Sequence, residues 1–202
     1  MRSKYESTSS ICPQRKHVGP DYTSVMSDTD YRYCPHCRTE LGAVERGGQP
    51  RLACPQCNFV HWRNPVPVVA AIVERAGRVV LVHSIGRPPH WYGLVAGFLE
   101  RGEHPADAVL REVSEELGLD GKLASTIGVY PFERLNQVIF AYHVVVPDGP
   151  ITLAADELDD YKEVPLEKLR PWPQGTGPAL RAWLAARGFD PPVVEFGTPL
   201  EL

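Results

Sequence analysis

The sequence lacks what would place it in a membrane or on a generic polyanion. It has no run of the roughly 18–20 consecutive apolar residues that a spanning helix needs, so no membrane partner is expected. Its first thirty residues, MRSKYESTSSICPQRKHVGPDYTSVMSDTD, contain no apolar core of a secretory signal. The expected location is cytoplasmic. The formal charge is −4, which argues against a chain-wide electrostatic grip on nucleic acid while leaving a local basic patch open. Cysteine is scarce. Its five residues fall as Cys12 alone and two tight pairs, a pattern that in such a chain points to metal more than to disulfides. There is no internal repeat and no regular alternation of strand and helix, which favours an α+β sandwich over a doubly wound sheet.

What is present suits one medium domain with something small attached: 202 residues, 43% hydrophobic, enough for a real core. Residues 1–30 are polar and aperiodic and read as a disordered tail or extension, with Met26 a candidate alternative start. Residues 31–62 hold both cysteine pairs. The main domain is expected over residues 63–190, followed by a C-terminal tail, 191–202. Two β-branched runs around Ala76-Gly77-Arg78 predict a hairpin. A helix is predicted over 105–117, strands near 126–132 and 137–146, and a closing helix over 176–187. QVIFAYHVVV is apolar on both faces and reads as a central strand.

Cys34-Pro-His-Cys37 and Cys54-Pro-Gln-Cys57 are sixteen residues apart, the spacing of a four-thiolate zinc site. Each Cys-x-x-Cys turn aims two sulfurs at one point, and two turns close a tetrahedron. About thirty residues cannot stabilise themselves by burial alone, so bound Zn²⁺ would supply the missing free energy. Four thiolates leave no open coordination position, so the expected role is structural.

Pro105 fits the first helical position and Gly118 the C-terminal cap. At about 100° per residue, Ala106, Val109, Leu110, Val113 and Leu117 share an apolar face, while Glu112, Glu115 and Glu116 share an arc of about 100° on the other side. Like charges at these spacings cost roughly 0.2–0.5 kcal/mol per pair, and the helix C-terminus adds an unfavourable dipole contribution. Arg111 offsets part of this. A hard divalent cation would turn the repulsion into coordination, since carboxylate oxygens are what magnesium and manganese prefer. The plain alternative is a solvated acidic face.

The run GFLERGEHPADAVLREVSEELGL, residues 97–119, resembles the Nudix hydrolase signature at every defined position: Gly97, Glu103, then Arg111-Glu112-Val113-Ser114-Glu115-Glu116-Leu117-Gly118-Leu119. The preceding cysteine-rich segment is similar to the zinc ribbon of NADH and FAD pyrophosphatase-type members. The resemblance implies a Nudix α/β/α sandwich preceded by a small zinc ribbon. It also implies hydrolysis of a nucleoside diphosphate linked to another group, with Mg²⁺ or Mn²⁺ held by Glu112, Glu115, Glu116 and the carbonyl of Gly97. Arg111 would orient the glutamates, and Glu103 would pair with Arg111 or reach the metal through water rather than bind it directly. The general base is left among Glu115, Glu112 and Glu157, the last in ADELDDYKEV. Trp91, Phe98 and Tyr130 are candidates for stacking on a base or flavin ring, each weighed against ordinary packing. Only Tyr130-Pro131-Phe132 matches the NADH pyrophosphatase segment downstream of the glutamate run, a departure that argues against a strict NADH pyrophosphatase and lowers the case for removal of an NAD cap from RNA. NADH, FAD, ADP-ribose or a related dinucleotide stay open, and capped RNA is the one nucleic-acid partner not excluded. The ribbon in such members implies a homodimer. The competing reading from another class is a ribbon-bearing binding module on a catalytically weak scaffold, recognising a nucleotide, RNA or protein.

Overall fold

The turn Ala76-Gly77 has positive φ at both residues, 46° and 72°, which joins two right-twisted strands with the least spacing. The hairpin it closes is the spine of a computed structural model that describes residues 31–199. The residue 1–30 tail, Cys12 and residues 200–202 lie outside the described residues. The hairpin strands are β4 (Val66–Arg75) and β5 (Arg78–Ser84). Before them come β1 (Gly42–Arg46), β2 (Gln49–Ala53) and β3 (Val60–His61), which form a separate antiparallel sheet around the cysteine pairs. After them come β6 (Tyr92–Gly93), β7 (Val95–Phe98), α1 (Pro105–Leu117), β8 (Lys122–Phe132), β9 (Gln137–Val145), β10 (Leu158–Pro165) and α2 (Gly177–Ala185).

The large sheet runs β10-β5-β4-β9-β8, with β9 interior and parallel to β4. The strand β4 changes partner along one edge. Its C-terminal end pairs with β5 (Val73↔Val80), whereas its N-terminal half pairs with β7 (Val68↔Phe98 to Ala71↔Val95). That split brings β7 to the middle of the sheet, directly beside α1.

Alternation along β4 sorts the core into two layers. Val69, Ala71 and Val73 pack under Val109, Val113 and Leu117 of α1, while Ile72 joins Leu180, Trp183 and Leu184 of α2 on the other face. The helix, the hairpin and the interior strand 137–145 appear where the sequence places them. The strand β10 was not foreseen. Its residues LDDYKEVP are charged because β10 is an edge strand, where alternating polar side chains reach water and only Leu158 and Val164 are buried.

One buried polar cluster ties α2 to the sheet. His143 of β9, 6% exposed, has Nε2 2.8 Å from Glu74 Oε2, while Arg187 Nη2 lies 3.4 Å from its Nδ1. The Arg187 guanidinium sits over the Trp183 ring, 3.7 Å from its centroid. Burial holds the His143 imidazole below its ordinary pKa; Arg187 works the same way and Glu74 opposes. The folded state therefore prefers neutral His143. Its contribution to stability is complete above the unfolded histidine value of about 6.5 and is lost as pH falls through the lower folded value. Between pH 7 and 5 the unfolding free energy of His143→Gln should fall less steeply than that of the parent, measured by urea titration at each pH. Identical slopes would show that His143 does not titrate in this way.

Candidate active site

The helix α1 starts at His104, whose side chain accepts from the Ala106 amide, and ends at Gly118 in the left-handed region, φ 66°. The carboxylates near its end divide into two groups. Arg111 gathers the first. Its Nε donates to Glu103 Oε1 at 2.8 Å and its Nη2 to Glu103 Oε2 at 3.0 Å, while Nη1 meets Glu112 Oε1 at 2.8 Å and Glu115 Oε2 at 2.9 Å. Its Nη2 also donates to the Phe98 carbonyl at 3.2 Å, tying the helix to β7. The bidentate grip of Arg111 holds the Glu103 carboxyl below the usual range.

Glu116 is the exception. It is 6% exposed, and its carboxylate receives the Ala96 amide but no side-chain cation. Burial, reinforced by the charges of Glu112, Glu157 and Glu115, pushes its pKa up to about 8. Burial also raises Glu112, which Arg111 partly offsets. Among the described residues only the four cysteines bring three or more ligand atoms within 4.8 Å of one another, so the glutamates share a region rather than one point.

Two glycines make this crowding feasible. At Gly97 an added Cβ would lie 2.0 Å from the Glu112 carboxyl carbon, so the bare Cα is the space in which that carboxylate rests. At Gly118 an added Cβ would meet Thr152 Cβ at 3.1 Å, on a backbone already at positive φ. Thr152 belongs to the loop that closes the helix end. The Thr152 amide donates to the Leu117 carbonyl at 2.9 Å and that of Ala154 to the Glu116 carbonyl at 3.1 Å. The same loop delivers Glu157, exposed, whose charge is felt at both Glu112 and Glu116.

The three candidate stacking residues separate. Phe98 and Tyr130 lie in one register row across the sheet, Phe98-Val68-Ile139-Tyr130, on the face away from α1. Phe98 is 59% exposed. Trp91 is elsewhere. Its ring meets Phe196 edge-on at 5.3 Å, and Phe196 meets Trp172 at 5.0 Å. Sequence reasoning missed this aromatic box and the neighbouring cavity of about 230 Å³, lined by His90, Lys168, Arg170 and Trp172 among others. No local signal marks Lys168, Arg170, Trp172 and Phe196, roughly eighty to a hundred positions downstream, as lying beside Trp91.

The cysteines pass a geometric test. A tetrahedron with metal–sulfur bonds of about 2.3 Å has sulfur–sulfur edges of about 3.8 Å. The Sγ separations are 3.6 Å for Cys34–Cys57, 3.4 Å for Cys37–Cys54 and 3.9 Å for Cys37–Cys57. The amides of His36 and Gln56 point at Cys34 and Cys54 sulfur, each at 3.4 Å, which makes the two turns near copies. The Thr39 hydroxyl and backbone lower the Cys37 thiol to about 6, whereas burial and the three neighbouring thiols raise that of Cys57, so the cluster sheds its protons unevenly.

The two glycines should behave differently on substitution. Gly97→Ala is expected to change unfolding free energy by less than about 1 kcal/mol, because the flexible end of Glu112 can swing aside, whereas strain and an adjacent backbone make Gly118→Ala cost about 1–3 kcal/mol. Equilibrium urea unfolding of both variants checks this ordering.

The family profile of the NUDIX domain matches residues 63–185. The NAD-capped RNA hydrolase NudC of Pseudomonas aeruginosa is 30% identical over 142 residues, covering 70% of this chain and 50% of that protein. NudC of Vibrio parahaemolyticus is 28% identical over 148 residues, covering 72% and 55%. The chain thus spans about half the length of the curated relatives it matches. A crystal structure of a NUDIX hydrolase from Nitrosomonas europaea shares the fold, with a TM-score of 0.65 at 22% identity, covering 82% of this chain and 97% of that one. With the signature residues gathered at α1 and β7, and the profile spanning more than half of the sequence, the chain belongs to the Nudix family.

Proposed function

We propose that the protein hydrolyses the pyrophosphate bond of a nucleoside diphosphate linked to another moiety, a dinucleotide such as NADH or FAD, ADP-ribose, or a dinucleotide cap on RNA, and releases a nucleoside monophosphate. One observation carries this reading. Glu116 is a buried carboxylate beside Glu112 and Glu157 with no cation among its partners, an arrangement that is unfavourable alone and favourable around a divalent ion. The names of the relatives, NAD-capped RNA hydrolases, supply the substrate class.

In this reading Glu112, Glu115, Glu116 and the Gly97 carbonyl hold Mg²⁺ or Mn²⁺, which when bound neutralises the diphosphate and makes phosphorus more open to attack by water. The rest falls to the chain's own groups. Arg111, anchored by Glu103 and the Phe98 carbonyl, fixes the azimuth of Glu112 and Glu115. Glu157, reaching in from the loop after β9, or Glu115, exposed at the helix surface, takes the proton of the attacking water. Phe98 and Tyr130 offer rings on the opposite sheet face, whereas Trp91 is engaged by Phe196 and acts through packing. Zn²⁺ on the four cysteines is structural, and the working assembly is a homodimer.

Incubation of NADH, FAD, ADP-ribose and NAD-capped RNA with Mg²⁺ or Mn²⁺, followed by chromatography for nucleoside monophosphates, tests the activity. Glu116→Gln should lower turnover by at least a hundredfold. In chelator at pH 8 the same variant should melt higher than the parent, because it removes an uncompensated buried charge. Full turnover by Glu116→Gln, or release of no monophosphate from any of the four by the parent, would overturn the assignment. Stripping Zn²⁺ under reducing conditions should abolish the protease resistance of residues 31–62 while the main melting transition persists.

A further inference from the structure

We propose that one face of the cysteine-rich sheet is a landing surface for single-stranded RNA, a proposal that rests on the dinucleotide-cap hydrolysis argued above and names its macromolecular partner. Register sorts the side chains. The pairs Val44↔Arg51 and Arg46↔Gln49 put Val44, Arg46 and Arg51 on one face, with Val60. Trp62, two residues beyond Val60, follows it there. Glu45 alternates to the opposite face, and Glu40 is bound by Arg32 at 3.3 Å. The chosen face therefore carries arginines and no free carboxylate from the strands.

Trp62 is 51% exposed, unusual for the largest apolar side chain. Its ring is held rather than loose. The Arg51 guanidinium carbon sits 5.6 Å from the ring centroid, and Arg51 Nη1 donates to the Trp62 carbonyl. A fixed, half-exposed indole flanked by arginine is the chemistry that single strands recognise, because every base offers a π-face and every linkage a negative charge.

Charge is segregated along the chain in the same sense. Residues 31–62 contain four arginines and two glutamates, formally +2, whereas residues 63–202 contain thirteen cations and nineteen carboxylates, formally −6. Four thiolates around a divalent ion would add −2 at the Cys-x-x-Cys turns, so the case rests on the arginines and the indole that share one face of the strands. The net negative charge of the main domain opposes the approach of a polyanion. The ribbon offers the compensating field, and a free dinucleotide is too short to use it.

The test uses the full, zinc-loaded chain. In a Glu116→Gln background, which keeps RNA intact, anisotropy of a labelled, uncapped single-stranded RNA of about fifteen nucleotides reads the surface directly. Trp62→Ala should weaken binding about tenfold, within the range of losing one stacked base. Arg46→Ala, at an exposed position, should weaken it about threefold and reduce the salt slope by about 0.7. In the active protein both variants should raise KM for dinucleotide-capped RNA and leave KM for the free dinucleotide unchanged. Unaltered RNA binding in both variants, or an equal rise in both KM values, would overturn the proposal. So would conversion of a dimer to a monomer by Trp62→Ala with RNA affinity intact, which assigns the face to a second copy of the chain. Absence of turnover on every substrate would sink the proposed activity, while the anisotropy result would still decide the surface.

Discussion

A carboxylate removed from water must find a cation, a set of donors or a proton, and Glu116 has only the single amide of Ala96. Arg111, one position from Glu112 on the same helix, is committed to Glu103, Glu112, Glu115 and the Phe98 carbonyl. That commitment explains how the helix folds at all with so many charges. Arg111 neutralises those that solvent also reaches and leaves the buried one exposed to its neighbours' repulsion. Stability is sacrificed at one atom pair, and the apolar face of α1, sealed by Val109, Val113 and Leu117, supplies enough burial to hold the helix in place regardless.

The sheet's departure from a regular hairpin follows from the same need. Had β5 paired with β4 along its whole length, it would fill the place on the β4 edge that β7 takes beside α1. Because β4 exchanges β5 for β7 halfway along, the Ala96 amide reaches Glu116 and Gly97 leaves a space for Glu112. The loop ahead of β10 closes the site from the other side. Its amides satisfy the last carbonyls of α1, offsetting the unfavourable helix end on which the glutamates sit.

Much of this was legible in the sequence because it is written in local rules. Pro105 and Gly118 bound a helix found at Pro105–Leu117, the Ala76-Gly77 turn marks a hairpin, and the cysteine spacing anticipates sulfurs at tetrahedral separations. The box glutamates could be put on one arc by periodicity alone. The division between Glu116 and the Arg111-bound set could not, since it depends on β7, whose position is fixed by long-range pairing. For the same reason β10 hid behind an acidic composition. Trp91 looked available for stacking because Phe196, its actual partner, is more than a hundred residues away.

The four-residue strand β7 joins the two faces of the domain. Successive side chains of β7 point to opposite sides, so Gly97 meets the carboxylates under α1 while Ala96 and Phe98 belong to the other face. Yet the backbone of this segment serves the carboxylate side throughout: the Ala96 amide to Glu116, the Phe98 carbonyl to Arg111. A ring stacked on Phe98 would thus be coupled, through a single residue's backbone, to the cation that orients Glu112 and Glu115. The rigidity of that link comes from pairing with β4, itself flanked by parallel β9 and buried on both faces. Four residues of strand therefore set the distance between where a planar group can sit and where charge is concentrated.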